Sequence, residues 1–363
     1  MRALILSGIY WDDPWQRHQQ IAKYLAKCGY SVVFVEHIVS SKFSIEKLVK
    51  KIERRDQRRE CQRNERITGI EVFHSYFINP DSVLTDLINK VEIKRILNTV
   101  GRQFDLVINY LPISTTLDIV NKITYKKLVY DCVRNFEVWP GYSNKVKKNE
   151  LKLIRKSDSI FTDSYYLTNK MISIKGSKFV YQFLPSVNGE WENGIKKKKI
   201  QKIQNLAYFG SVDAGHIDLN VFQKLNEIGY NVHVWGVASE NITKICTYHG
   251  YKSNLKELVR DIYNYTDAII LTYKGDLEGV IPSKMFQCLS LGIPVYISEF
   301  YDSIRLKNAL FVYKDVFDLI DKIESFSDQE YSEKRINGLS LVEKAREYNQ
   351  YAEFKKILDK IME

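Results

Sequence analysis

Short apolar runs rich in Val, Ile and Tyr alternate along this chain with longer stretches in which apolar residues recur at helical spacing. Runs at 3–7, 31–36, 70–74, 106–110, 127–131, 159–163 and 179–183 read as strands, and 15–28, 82–97 and 143–156 read as helices. A strand–helix–strand rhythm of this kind predicts parallel sheets covered on both faces. After Pro185 the pattern breaks into Gly, Pro and Asn followed by the lysine run 196–199, which reads as a linker. A second series follows, with strands at 206–209, 231–235, 268–271, 294–297 and 310–312. Its helices start near Ile217, Asn254, Pro282, Val316 and Ser332, and a last helix runs over 351–362. The expected architecture is α/β: two doubly wound, Rossmann-like domains at 1–185 and 204–345, joined by a linker at 186–203. The segment 346–363 is expected to cross back to the first domain. Such domains bind ligands at the carboxyl ends of their strands, so the expected site is the cleft between the two.

The length of 363 residues fits two domains, and 45% hydrophobic with 27% charged residues is globular composition. No apolar run approaches the roughly 18–20 residues of a membrane-spanning helix. The opening Met1-Arg2-Ala3-Leu4-Ile5-Leu6 leads to Trp11-Asp12-Asp13 without a small-residue cleavage site, so no signal peptide is expected. Five cysteines are scattered without metal-ligand spacing, which points to a reducing, cytoplasmic setting. The charge is uneven. Residues 1–185 carry 31 Lys and Arg against 19 Asp and Glu, while the remainder carries 23 against 25. A basic half is expected to face an anionic polymer or membrane. Two segments concentrate it: 42–66, with ten basic and five acidic residues, and 143–156, with six basic residues against Glu150 alone. Apolar residues among these charges suit an anionic bilayer, though plain solvated helices have the same pattern. No nucleic-acid reading motif accompanies the charge.

The most specific stretch is Glu278-Gly279-Val280-Ile281-Pro282-Ser283-Lys284-Met285-Phe286-Gln287, which continues through a helix to Gly292-Ile293-Pro294-Val295. Proline suits a helix start, where its missing N–H costs nothing. The unpaired amides there attract anions, and Ser283 and Lys284 sit where a phosphate would bind. Gln287 projects from the same face one turn later. An ordinary capped surface helix would also carry this pattern.

This stretch resembles the donor-binding segment of the GT-B glycosyltransferases, including the group-1 kind. Leu206-Ala207-Tyr208-Phe209-Gly210-Ser211 looks like the first strand and glycine loop of their nucleotide-binding domain. Val234-Trp235-Gly236 and Tyr248-His249-Gly250-Tyr251 look like the segments that bracket the nucleotide base. Arg17-His18 with the following helix, and Val129-Tyr130-Asp131 with Lys156-Ser157-Asp158-Ser159, are similar to the N-terminal half. Gln287 stands where retaining members carry the second of two glutamates. A Lys-x-x-Gln pair at this place looks more like the inverting xanthan-type glucuronosyltransferases, which are membrane-associated. The resemblance implies that Gly210, Ser211, Gly236, Tyr251, Glu278, Val280, Ser283, Lys284 and Gln287 bind a nucleotide-diphosphate sugar as co-substrate. Lys284 would then stabilise the leaving diphosphate.

An inverting transfer needs a base, and Asp131 at a strand end is the candidate, with Arg134 beside it to tune it or to bind an acceptor phosphate. A loop aspartate capping the next helix fits Asp131 equally well. Gly8, Tyr10, Trp11 and His18 follow the first strand and are candidates for the acceptor side, or for ordinary packing. Asn188 in the linker is explained as well by turn chemistry. No Asp-x-Asp follows a strand, so neither an obligatory metal nor another cofactor is expected. The expected activity is sugar transfer to a lipid-linked saccharide in bacterial surface-polysaccharide assembly, on the inner face of the plasma membrane. A nucleotide-sugar 2-epimerase and a catalytically silent GT-B subunit are the competing readings.

Overall fold

Seven short runs pair side by side in the first unit, and the central ones are apolar on both faces, as buried parallel strands require. They are β1 (Arg2–Leu6), β2 (Ser31–Glu36), β3 (Ile70–His74), β4 (Gln103–Asn109), β5 (Thr124–Cys132), β6 (Ser159–Thr162) and β7 (Val180–Gln182). The sheet order is β3-β2-β1-β4-β5-β6-β7 with parallel pairing throughout. Helices α1 (Arg17–Lys27), α2 (Val83–Val100), α3 (Ser114–Asn121), α4 (Asn144–Lys156) and α5 (Tyr165–Lys175) connect them. The structure, a computed structural model, describes residues 1–13, 15–38, 66–78, 83–138, 144–187, 191, 197–212, 215–238, 240–275 and 277–363. The basic segment expected at 42–66 lies outside the described residues except for Arg66, and so does Asn188.

A second parallel sheet follows, with order β10-β9-β8-β11-β12-β13. Its strands are β8 (Asn205–Phe209), β9 (Asn231–Trp235), β10 (Thr247–Tyr248), β11 (Ala268–Leu271), β12 (Val295–Ser298) and β13 (Phe311–Tyr313). The helices are α6 (Leu219–Glu227), α7 (Glu240–Thr243), α8 (Leu255–Tyr265), α9 (Ser283–Ser290), α10 (Tyr301–Arg305), α11 (Val316–Glu324), α12 (Asp328–Ala345) and α13 (Glu347–Met362). Several start where side chains satisfy free amides: Asn254 Oδ1 accepts from the N–H groups of Lys256 and Glu257, and Asp315 Oδ1 from those of Phe317 and Asp318. Strand order reverses between β1 and β4 and again between β8 and β11, and each reversal opens a crevice at the carboxyl ends of the strands.

The chain divides into Met1–Phe183 with Tyr351–Glu363, and Leu184–Gln350. Helix α13 adds Phe354, Ile357, Leu358 and Ile361 to the core of the first unit. Phe354 lies 5.5 Å from the Tyr24 ring and 6.0 Å from that of Phe183. The described part of the expected linker is packed, with Val187, Trp191, Ile200 and Ile203 buried and Val187 bridged to Arg346 in the second unit. Among the described residues no helix is long and apolar enough to cross a membrane.

Candidate functional site

In the second unit the site begins where β8 and β9 end. Gly210 follows β8 with φ of +114°, and Gly236 follows β9 with φ of +132°, backbone conformations that favour glycine. A Cβ on Gly236 would fall 2.2 Å from the carbonyl oxygen of Gly210. A Cβ on Gly210 would fall 2.6 Å from Lys284 Nζ. Gly236 therefore lets the strand ends meet, and Gly210 lets Lys284 cross over it. Their N–H groups are already used: Gly210 donates to the Trp235 carbonyl at 2.8 Å and Gly236 to that of Gly250 at 2.9 Å. With these amides committed, what the two glycines supply in the structure is close packing of the strand ends.

Lys284 is the second residue of α9, so its ammonium lies near the positive end of that helix. It donates to Tyr208 Oη at 3.0 Å and sits 4.3 Å from the centre of the Tyr208 ring and 5.5 Å from that of Phe209. No carboxylate reaches it among the described residues. Although part of the side chain stays open to solvent, burial of the ammonium lowers its pKa to about 8. The nearby Cys288 thiol is pushed up by its own burial, remains protonated at neutral pH, and supplies no counter-charge. A largely buried cation at a helix start, with no carboxylate beside it among the described residues, is an arrangement that favours an anion.

The other residues expected in the second unit stand as follows. Ser283 is exposed at the first position of α9 and Gln287 is half-buried one turn on. Glu278 is exposed and Val280 half-buried in the loop that leads into α9. Ser211 is exposed, and its carbonyl accepts from Tyr208 Oη at 3.2 Å. Tyr251, 69% exposed, follows the Gly250 whose carbonyl holds Gly236. The sequence reading did not single out Tyr208, His216 or Tyr273. His216 is close enough to Lys284 for the ammonium to depress its proton affinity, after burial, which is the larger cause. Its ring stacks on Tyr273 at 5.9 Å. These residues are 76, 68 and 11 positions from Lys284 in the chain, and nothing in their local pattern marks them.

In the first unit, the polar residues meet at the carboxyl ends of β1, β4 and β5. His18, at the start of α1, shares a hydrogen bond of 2.9 Å between its Nδ1 and Ser7 Oγ, and its ring stacks on Tyr110 at 3.7 Å. Its Nε2 makes no hydrogen bond to the described residues. Burial, reinforced by the Arg17 and Arg134 cations, drives its pKa down to about 3, so the imidazole is neutral at physiological pH. Arg134 is half-buried.

Two expectations are corrected here. Asp131 does lie at the carboxyl end of β5, one residue before its last, but it is fully buried, and the Arg17 Nε donates to both of its oxygens at 2.9 and 3.0 Å. Arg17 also donates to the Phe183 carbonyl at 2.7 Å. A carboxylate held this way serves as a counter-ion and is poorly placed to take a proton from a solvent-side hydroxyl. Trp11 is 1% exposed and belongs to the core, edge-on to Phe34 at 5.2 Å, so it does not present a surface to an acceptor. Tyr10 is half-buried and stacks on His37 at 4.1 Å. Gly8 packs under Leu111, whose methyl carbons would lie 3.2 and 3.3 Å from an added Cβ.

Two doubly wound parallel units in one chain are the GT-B fold. Solved structures match it over the full length. The lipopolysaccharide outer core galactosyltransferase WaaB, in its apo form, has a TM-score of 0.68 at 14% identity, covering 99% of this chain and 100% of that one. A glycosyltransferase from Rickettsia africae has a TM-score of 0.66 at 12% identity, over 100% and 98%. HepE from Anabaena in complex with UDP has 0.65 at 10% identity, over 99% and 100%. At such identities the likeness establishes the fold. No family model matches the chain, and no curated protein matches its sequence.

Proposed function

We propose that the chain is a glycosyltransferase whose second unit holds a nucleoside-diphosphate sugar and whose first unit receives a saccharide acceptor. The observation that carries this reading is the largely buried Lys284 ammonium at the start of α9, above Gly210 and with no carboxylate beside it among the described residues. As the bond from the anomeric carbon to the leaving phosphate oxygen breaks, negative charge grows on the diphosphate. A fixed cation there lowers the barrier because it stabilises that charge more than the ground state. HepE in complex with UDP and with UDP-glucose shares the fold, which supports a uridine diphosphate donor.

The acceptor hydroxyl attacks the anomeric carbon, and its proton goes to a base. His18 suits that role better than Asp131, since its Nε2 makes no hydrogen bond to the described residues and its ring is uncharged. Its basicity is held low in part by Arg134. An acceptor phosphate on Arg134 would offset that cation and bring the imidazole back toward the range where it takes a proton. The charge excess of residues 1–185 supports an acceptor attached to a lipid at an anionic membrane surface.

The test is release of UDP from UDP-glucose, UDP-galactose, UDP-N-acetylglucosamine and UDP-glucuronate, with and without membrane extracts as the acceptor source. Release by the wild type and not by Lys284→Met supports the reading. Binding of UDP without turnover on any donor or extract favours a silent subunit, and neither binding nor release contradicts it.

A further inference from the structure

Away from the crevice that holds His18, the first unit gathers a second group of side chains at the carboxyl ends of β2 and β3. Tyr10 lies in the loop after β1, His37 follows β2 and His74 ends β3. Their three rings are nearly parallel, with pairwise centroid separations of 4.1, 5.8 and 6.0 Å and interplanar angles of 14, 12 and 2°. Tyr76 stands edge-on to His74 at 5.0 Å and is 66% exposed. The His74 side chain is 42% exposed, and Tyr10 and His37 are half-buried.

The group is held against backbone preference. His37 has φ of +55°, a left-handed conformation that a residue with a Cβ rarely adopts. Such a conformation persists only where its surroundings fix it, and it gathers at functional sites. Here the His37 N–H donates to the Ile9 carbonyl at 3.0 Å, and its carbonyl accepts from the buried Ser75 Oγ at 3.1 Å. Glu36 hydrogen-bonds His74 Nδ1 through Oε1 at 2.9 Å and accepts from the Trp11 N–H through Oε2 at 2.6 Å. His74 Nε2 makes no hydrogen bond to the described residues. Glu92 Oε1 of α2 accepts from the Tyr76 N–H at 2.9 Å, and the Arg95 guanidinium lies 5.1 Å from the centre of the Tyr76 ring. Rings fixed in this way are ordered before any ligand arrives, which lowers the entropy lost on binding.

We propose that these rings form a subsite for the second and further sugar units of the acceptor, so that the acceptor is an oligosaccharide. The C–H face of a pyranose, polarised by its oxygens, suits the negative face of an aromatic ring, and His74 Nε2 takes a hydroxyl at the rim. Position sets the length. Neighbouring strands lie about 4.8 Å apart, so in the order β3-β2-β1 the end of β3 is about 10 Å from that of β1, farther than one sugar unit spans. His18 stands between the ends of β1 and β4, bonded to Ser7 and stacked on Tyr110, while the rings lead from Tyr10 outward to β3. The inference rests on the transferase reading and deepens it by giving the acceptor its class.

The experiment measures transfer by the full chain to a dilution series of membrane extract, with His37→Gly and Tyr76→Ala beside the wild type. Glycine accepts the backbone at position 37 and removes the ring. Each variant should need about tenfold more extract for its half-maximal rate, the loss of one aromatic contact, while the maximal rate, the melting temperature and the response to UDP stay unchanged. Mass spectrometry of the product should find the new sugar on a glycan that already had a second unit. Unchanged demand for extract in both variants, or transfer onto a single sugar, overturns the proposal. A fall in melting temperature and in UDP response in both variants assigns the rings to folding and overturns it too. A wild type that binds UDP and transfers to no extract places the failure in the transferase reading, and the subsite falls with it.

Discussion

Replacing Lys284 with Met should stabilise the free protein while removing its ability to hold a diphosphate. The fall in the Lys284 pKa from 10.5 to about 8 comes from taking an ammonium out of water with only the Tyr208 hydroxyl as a polar partner. That fall corresponds to at most about 3 kcal/mol of native-state cost at neutral pH, an upper value because part of the side chain remains in solvent. The direction follows from linkage. The folded pKa lies below the unfolded one, so the cost is fully present below pH 8 and is relieved as pH rises from about 8 to 10.5. Met fills a similar volume without charge, and Tyr208 Oη keeps its bond to the Ser211 carbonyl. Lys284→Met should therefore melt several degrees higher at pH 7, at about 2–4 °C per kcal/mol for a chain part of this size. Its stability should lack the rise between pH 8 and 10.5 that the wild type shows. In calorimetry UDP should no longer bind. A variant that melts lower than the wild type, keeps the alkaline rise and still binds UDP would refute the assignment of Lys284 as the uncompensated cation of an anion site.

Gly236→Ala places a methyl 2.2 Å from the Gly210 carbonyl on a backbone of positive φ, and should cost about 2–4 kcal/mol in denaturant unfolding and abolish UDP binding. Arg17→Met strands a buried Asp131 and should destabilise by about 3–5 kcal/mol, and Asp131→Asn in the same chain should recover much of it; additive losses in that double-mutant cycle would deny the ion pair its role. His18 is held neutral, with its folded pKa near 3 below the ordinary 6.5, so the stability it contributes is present above pH 6.5 and is lost as pH falls toward 3. His18→Asn should flatten that acid limb of the melting curve, and an unchanged limb would show that another group dominates it.

Much of the fold is legible from the chain because its strands are continuous apolar runs that no helix stripe imitates. The strands at Ile70–His74, Asn231–Trp235 and Ala268–Leu271 match the apolar runs residue for residue. β5 begins at Thr124, ahead of the expected run, because Thr124 and Lys126 give no apolar signal while the backbone already pairs with β4. β10 is two exposed residues, and α3 is eight residues long, too short for a clear period. At the site, the proline, lysine and glycine of 282–292 speak locally, because helix starts and stops are local chemistry. Their partners do not. Arg17 meets Asp131 across 114 residues and Lys284 meets Tyr208 across 76, contacts that only the strand order brings about. Trp11 shows the limit from the other side: an aromatic residue after the first strand is equally apt for a ligand or for a core, and only packing against Phe34 decides.

The central claim is that the second unit is built for a nucleoside diphosphate, and the melting temperature with UDP, GDP, dTDP and CMP tests it directly, in EDTA and then in magnesium. A ligand that binds only the folded chain raises the melting temperature by mass action, about 2.7 kcal/mol at a hundred times its dissociation constant. The account predicts a rise with one nucleoside diphosphate already in EDTA, smaller with its monophosphate and absent in Lys284→Met. No rise with any nucleotide in either condition, or an equal rise in Lys284→Met, would contradict it.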